Sequence, residues 1–227
     1  MTVFTGLMPR KCLLLLAVLA FILFGVYPAG AGEMKVSPSG FAKFVTGIVA
    51  AFSIHETSHL LVAEITNTDL EWKSGNINQP IGFDEESRND DVGVALLSSG
   101  LLSQVIGSEV VLRSEKIDKN GSFIRGMMAW NILNPISYAV DYWFIHRSNY
   151  KDGNSYQGDI QGIEHYADKK SANGFAASMV ALSVFQGYRF VKTQSWAPGK
   201  MKNDMHSLRF DPLTSSKGFL LSYNIKF

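Results

Sequence analysis

Four apolar stretches separated by polar loops constrain the fold of this chain more than any other feature. They cover residues 41–65, 92–112, 126–145 and 172–191. A helix of that length can cross a bilayer, but each stretch also carries polar or ionisable residues, which are costly in hydrocarbon unless they face the interior of a bundle. The pattern predicts a mainly α-helical fold, a bundle of about four apolar helices. Such a bundle is either embedded in a membrane or compact, and the sequence alone is compatible with both.

The composition points away from an ordinary soluble domain. The chain has 227 residues, of which 46% are hydrophobic and 18% charged, whereas about 25% are charged in typical soluble domains. Its net charge of +1 gives no indication of a nucleic-acid partner. The acidic loop 66–92 and the basic loop 113–125 argue against four spans, because the positive-inside bias would be reversed. A three-span arrangement and an exported soluble body both fit better.

The N-terminus resembles an export signal. Arg10 and Lys11 precede an uninterrupted apolar run over residues 12–27, which small residues then follow. This order of regions predicts a secretory signal peptide over residues 1–31, or an uncleaved N-terminal anchor. We therefore expect an exported protein of the cell envelope, either membrane-associated or periplasmic. Because Cys12 is the only cysteine, the mature chain would form no disulfide.

The C-terminal part of the chain has a different pattern. Apolar and aromatic residues fall on one face of an extended segment at every second position, namely Phe219, Leu221, Tyr223, Ile225 and Phe227. This period predicts a strand, and an alternating run before it predicts a small β-hairpin within residues 192–227. Residues 68–83 could form a second short hairpin. The helical domain would then occupy residues 32–191.

The segment SIHETSHLLV, residues 53–62, contains the pattern most specific for a function. His55 and His59 are four residues apart, so a helix places both imidazoles on one face, where they can bind one ion. Glu56 can act on a water there without being a ligand, as in the H-E-x-x-H helix of zinc metallopeptidases. The sequence therefore predicts a Zn²⁺ site with Glu56 as the catalytic general base. The alternative is a pair of structural histidines that form hydrogen bonds in a core helix.

A catalytic zinc site needs a third protein ligand and an open position for water. Asp141 is the first candidate, because it is an ionisable residue inside an apolar segment. Pro135, six residues earlier, would break or kink that helix.

This order of elements resembles the site-two-protease family of intramembrane zinc metalloproteases. A His-Glu-x-x-His helix is followed by one intervening helix and then by a helix with Asn, Pro and Asp, over residues 48–145. The resemblance implies intramembrane proteolysis, with Asp141 as the third metal ligand beside the two histidines. It also implies that Asn131 or Asn134 lies beside the substrate.

Other residues could complete the metal site. Glu109 could be a ligand from a later helix, or could pair with Arg113 four residues on. Asp159 could be a ligand, or could cap the helix that it starts. Glu164 and His165 are further candidates in the same segment.

The sequence thus predicts a zinc-dependent metallopeptidase of the cell envelope that hydrolyses peptide bonds in a peptide or protein substrate. An extended substrate could add as a strand to one of the hairpins. One alternative is a non-enzymatic envelope protein that docks onto a membrane partner and has structural histidines. Another is a metal-binding protein without hydrolytic activity. The sequence contains neither a G-x-S-x-G nucleophile motif nor a phosphate-binding glycine loop.

Overall fold

The fold is mainly α-helical, as the four apolar stretches predict. The computed structural model describes residues 37–72, 81–83, 90–145, 158–197, 206–212 and 219–225, so the predicted signal peptide lies outside the described residues. The helices are α1 (Pro38–Ile65), α2 (Asp90–Arg113), α3 (Ser122–Val140), α4 (Asp159–Tyr166) and α5 (Lys169–Thr193). A π-helical turn, Asp141–Ile145, continues α3. The four long helices correspond to the four apolar stretches.

Two pairs of strands accompany the helices. Strands β1 (Leu70–Trp72) and β2 (Ile81–Phe83) pair antiparallel within the segment 68–83. Strands β3 (His206–Pro212) and β4 (Phe219–Ile225) also pair antiparallel. The segments before β3 and between β3 and β4 are outside the described residues, so a C-terminal hairpin packed on the helices stays a prediction.

Local sequence signals set where the long helices begin. Ser37 precedes α1, its hydroxyl oxygen accepts a hydrogen bond from the Gly40 amide at 3.1 Å, and Pro38 occupies the first helical position. Asp168 caps α5 in the same way, because its carboxylate accepts a hydrogen bond from the Ser171 amide at 2.6 Å. Hydrogen bonds from Ser171 to the charged carboxylate lower the pKa of Asp168. Both caps satisfy amides that the first helical turn leaves free.

The core lies between the long helices and α4. One cluster of buried side chains joins α2, α4 and α5, and includes Leu96, Leu101, Ile160, Ile163 and Met179. A second cluster joins the ends of α2, α3 and α5, and includes Val111, Met128, Ile132 and Phe190. Pro135 is buried in α3, which continues to Val140. Of the two predicted effects of Pro135, a break or a kink, the break does not occur, because the helix continues through the buried proline.

Helices α1 and α3 touch through their backbones. A Cβ atom on Gly47 would lie 2.0 Å from the Phe123 carbonyl oxygen, and one on Gly126 would lie 1.9 Å from the Phe44 carbonyl oxygen. Contact this close requires glycine on both helices, and it is a common way for helices to pair in membranes. The contact positions α1, and with it His55 and His59.

We expect Gly126→Ala to lower the free energy of unfolding by about 1–3 kcal/mol, because the added methyl group must push the two backbones apart. Gly174→Ala is the matched control, since a Cβ atom at Gly174 meets nothing within 4 Å. That variant should be more stable than wild type by about 0.5–1 kcal/mol, because alanine favours a helix over glycine. Denaturant titration followed by circular dichroism measures both. Equal effects of the two substitutions would contradict the close contact.

Candidate metal centre

Three side chains from two helices converge at one buried point. His55 and His59 reach it from α1 and Asp159 from the start of α4, and one donor atom from each lies within 4.8 Å of the others. The two Nε2 atoms are 3.3 Å apart. The Asp159 carboxylate oxygens lie 3.3 Å from His55 Nε2 and 3.6 Å from His59 Nε2. Each residue is at most 7% exposed.

These separations fit a tetrahedral zinc ion. Zinc binds histidine nitrogen and carboxylate oxygen at about 2.0–2.1 Å, so neighbouring ligands of a tetrahedral ion are about 3.3 Å apart. The two Nε2 atoms lie 3.3 Å apart, Asp159 Oδ2 lies 3.3 Å from His55 Nε2, and Asp159 Oδ1 lies 3.6 Å from His59 Nε2. No fourth His, Cys, Asp or Glu joins this group in the part of the chain that the structure describes, and a catalytic zinc site has three protein ligands with a water in the fourth position. The donor set therefore suits a catalytic site better than a closed structural one.

A backbone contact orients the His59 ring. His59 Nδ1 lies 2.8 Å from the Leu96 carbonyl oxygen in α2. Since a carbonyl can only accept, Nδ1 carries the proton and donates it, which leaves the Nε2 lone pair directed at the cluster. The Ser99 hydroxyl donates to the same carbonyl at 2.6 Å and lies 3.2 Å from His59 Nδ1. Metal-binding histidines are usually held by such a second contact.

The chain conformation at Gly158 places Asp159. Gly158 has φ of 96°, in the left-handed region that favours glycine, and it occupies the cap position of α4. Asp159 is consequently the first residue of the helix and not its cap, so its carboxylate is free to reach the histidines. The alternative role predicted for Asp159, that of a helix cap, is therefore wrong, because Gly158 occupies the cap position. Tyr138 of α3 lies beside this site, with its ring centre 6.0 Å from that of His55.

Helix α2 closes the site through Gly100. A Cβ atom at Gly100 would lie 2.5 Å from His59 Nε2, 2.5 Å from His55 Cε1 and 2.6 Å from His55 Nε2. The space in front of the donor atoms therefore exists only because this residue has no side chain. Sequence analysis did not identify Gly100, although the small residues Ser98 and Ser99 before it, inside an apolar stretch, could have indicated a close approach of helices.

The structure changes the prediction for the third ligand. Asp141 begins the π-helical turn and is half-buried, and in the part of the chain that the structure describes it does not join the cluster with His55 and His59. Asp159 takes that place. The order of motifs favoured Asp141, but the side chain that faces the histidines depends on how α4 packs under α2. Glu56 is half-buried and directly follows His55 on α1.

The remaining candidates make other contacts. Glu109 accepts hydrogen bonds from Arg113 at 2.7 Å and from Arg189 at 2.6 Å, which confirms its alternative role in an ion pair. Glu164 accepts a hydrogen bond from the Tyr142 hydroxyl and so ties α4 to the π-helical turn. His165 is exposed.

The two asparagines lie on α3, on the side that faces α2. Asn131 is buried, and its Nδ2 would lie 3.5 Å from a Cβ atom at Gly107. Asn134 Nδ2 donates to Gln104 Oε1 at 3.3 Å. Gln104 follows Gly100 by one helical turn, so Asn134 is near the metal site without being part of it.

Comparison with known proteins found no matching family model, no matching curated protein and no matching solved structure. The chemistry of the site therefore rests on its own geometry.

We expect Gly100→Ala to abolish metal binding while the helices remain, because the methyl group would occupy the space in front of both imidazoles. Gly107→Ala is the matched control on the same face of α2, where a Cβ atom makes only an ordinary contact of 3.5 Å. Zinc content by elemental mass spectrometry and helicity by circular dichroism test the pair. Full zinc content in Gly100→Ala would show that the ion binds elsewhere.

Proposed function

We propose that this protein is a membrane-embedded zinc-dependent peptidase. The observation that carries the proposal is the buried group of two imidazole nitrogens and a carboxylate, because one ligand atom of each of His55, His59 and Asp159 lies within 4.8 Å of the other two. Imidazole nitrogen with one carboxylate is a usual donor set for zinc, whereas magnesium and calcium prefer oxygen donors alone. The buried Asp159 Oδ2 atom has no hydrogen-bond partner among the described residues, and a cation would give it one.

Glu56 gives the site its hydrolytic chemistry in this proposal. When bound, the zinc ion would lower the pKa of a water to about 7 and polarise the peptide carbonyl. Glu56 accepts a proton from the attacking water and returns it to the leaving nitrogen, so one water is consumed for each peptide bond broken. His59 keeps its donor atom on the site through the bond from Nδ1 to Leu96. Asp159 would supply a negative charge that offsets part of the charge of the cation.

We expect wild-type protein to bind one zinc ion per chain and His55→Ala, His59→Ala and Asp159→Ala to bind none. Glu56→Gln should keep its zinc, since Glu56 is not a ligand, while kcat falls by about 10²–10⁴-fold, the usual contribution of a general base. Elemental mass spectrometry gives the zinc content, and cleavage of a peptide library gives the activity.

Two control variants sharpen this experiment. Asp141→Asn should retain zinc, because Asp159, and not Asp141, groups with His55 and His59 among the described residues. Glu64→Gln should retain both zinc and activity, because Glu64 is an exposed glutamate on the same helix. Loss of zinc in Asp141→Asn with retention in Asp159→Ala would reverse the assignment of the third ligand. Zinc in wild type with full activity in Glu56→Gln would leave a metal-binding protein with a different base.

The outer surface of α1 supports placement in a membrane. Two helices, Pro38–Ile65 and Asp90–Arg113, are long and apolar enough to cross one. The outward face of α1 exposes large apolar side chains along its whole length, with Phe41, Val49, Leu61 and Ile65 each more than half exposed. The helix is about 42 Å long, against about 30 Å of hydrocarbon. An apolar face of this extent in water would be unusual for a monomer.

Hydroxyl groups on α1 also suit a lipid environment. Thr46 donates to the Ala42 carbonyl at 2.8 Å, Ser53 to the Val49 carbonyl at 2.9 Å, and Ser58 to the Ile54 carbonyl at 2.8 Å. Each of these three hydroxyls therefore has a partner within its own helix and needs no water.

We expect the protein to remain in membranes after alkaline carbonate washing and Val49→Glu to impair insertion, because a carboxylate in mid-bilayer costs about 2.5–3.5 kcal/mol. Val49→Leu should insert normally, and Lys43→Glu, at the end of the helix, should have little effect. Membrane fractions from cells expressing each variant give the result. Release of wild type by carbonate, with normal yield of Val49→Glu, would favour an exported soluble body.

A further inference from the structure

A second group of polar side chains is buried where α2, α3 and α5 meet, beside the metal site. We name it the polar row, and its members are Gln104, Ser108, Asn131, Asn134, Ser183 and Gln186. All except the half-buried Asn134 are at most 3% exposed. Four polar atoms in the row have no hydrogen-bond partner among the described residues, namely Gln104 Nε2, Ser108 Oγ, Ser183 Oγ and Gln186 Oε1.

The row starts at the metal site. Gln104 and Ser108 follow Gly100 by one and two helical turns, so all three lie on the same face of α2. Gly100 is the residue whose Cα faces the two imidazoles. Asn134 donates to Gln104 across the α2–α3 contact at 3.3 Å, and Gln186 Nε2 donates to the Val105 carbonyl across the α2–α5 contact at 2.9 Å. These polar groups of α2, α3 and α5 therefore lie at the same height along the helix bundle.

The row ends at a partly exposed ion pair. Arg189 follows Gln186 by one turn of α5 and donates to Glu109 at 2.6 Å, and Arg113 donates to the other Glu109 oxygen at 2.7 Å. The Arg113 side chain is 44% exposed, so this end meets the surface. Nine residues separate Gly100 from Glu109, which corresponds to about 13 Å along the helix.

The unpartnered atoms indicate what occupies the row. A buried polar group without a hydrogen bond costs about 1–3 kcal/mol, and four such groups in one place would lower stability severely. Native proteins satisfy such groups with buried water, which binds where several polar atoms are close together.

We propose that a file of water molecules fills the polar row and connects the metal site with the Glu109–Arg189 ion pair. Its role in hydrolysis rests on the proposed function, because each peptide bond broken consumes one water and the outer face of α1 is apolar. The presence of the water does not depend on that function. The file reaches the site along α2 and α5, on the side away from the apolar face of α1.

Radiolysis of bound water tests the file directly, using thiols as reporters. The only native cysteine is Cys12, so Cys12→Ser provides a background without thiols. Into this full-length chain we would introduce Ser108→Cys or Ser183→Cys, each nearly the same size as the residue replaced. Ala176→Cys, at a site that is 0% exposed in the apolar core, is the dry control, and Ser178→Cys, on the exposed face of α5, is the wet control.

The purified proteins are exposed to a brief X-ray pulse in ¹⁸O-labelled water, and mass spectrometry measures ¹⁸O on each thiol. We expect both reporters in the row to be labelled at least about tenfold faster than Ala176→Cys, because hydroxyl radicals arise from water beside them. Labelling as slow as in Ala176→Cys, in folded variants, would overturn the proposal. Either reporter decides the question if the other fails to fold.

The labelling experiment separates the two proposals. It needs neither bound zinc nor a peptide substrate. Labelling in the row of a protein that binds no zinc would therefore support the water file and contradict the peptidase proposal. If the protein binds zinc and cleaves peptides but the row is not labelled, the result would support the peptidase proposal and contradict the water file.

Discussion

The convergence of His55, His59 and Asp159 is the interaction on which the rest of the structure depends. Three groups that need polar partners lie in the middle of an apolar bundle, and burying them apart would be costly. The surrounding elements position these three side chains close to one another. The glycine contact with α3 positions α1, the Leu96 carbonyl orients His59, and Gly100 leaves space in front of the donor atoms. The short helix α4 brings Asp159 to the opposite side.

The molecule combines an apolar outer face on α1 with a set of polar side chains buried between the other helices. On α1 the large exposed side chains are apolar, while the histidines face inwards. Glutamine, serine and asparagine side chains lie between α2, α3 and α5, in positions that a water-soluble bundle would usually fill with leucine or valine. Under the proposed function, the apolar face of α1 would contact lipid, while the buried polar groups would hold water and a cation. The peptidase proposal thus explains the buried metal site, and the water file explains the buried polar row beside it.

Much of the fold could be predicted from the sequence, but only half of the site. The four apolar stretches are long helices, because hydrophobic length is a local property. His55 and His59 could be paired, because a helix fixes the distance between residues four apart. Asp159 could not be preferred over Asp141, since it is 100 positions from His59 and its place depends on the conformation of Gly158 and on tertiary packing. Gly100 matters because a Cβ atom there would fill the space beside the imidazoles. A motif search does not identify a residue of this kind.

X-ray absorption at the zinc edge, on the purified and zinc-loaded protein, tests whether His55, His59 and Asp159 bind the ion. We expect about four nitrogen or oxygen neighbours at about 2.0 Å, with the outer-shell scattering of two imidazoles. In Asp159→Ala the protein should show no zinc edge above background. Six oxygen neighbours without imidazole scattering would place any bound zinc elsewhere on the chain, and would contradict a metal centre between α1 and α4.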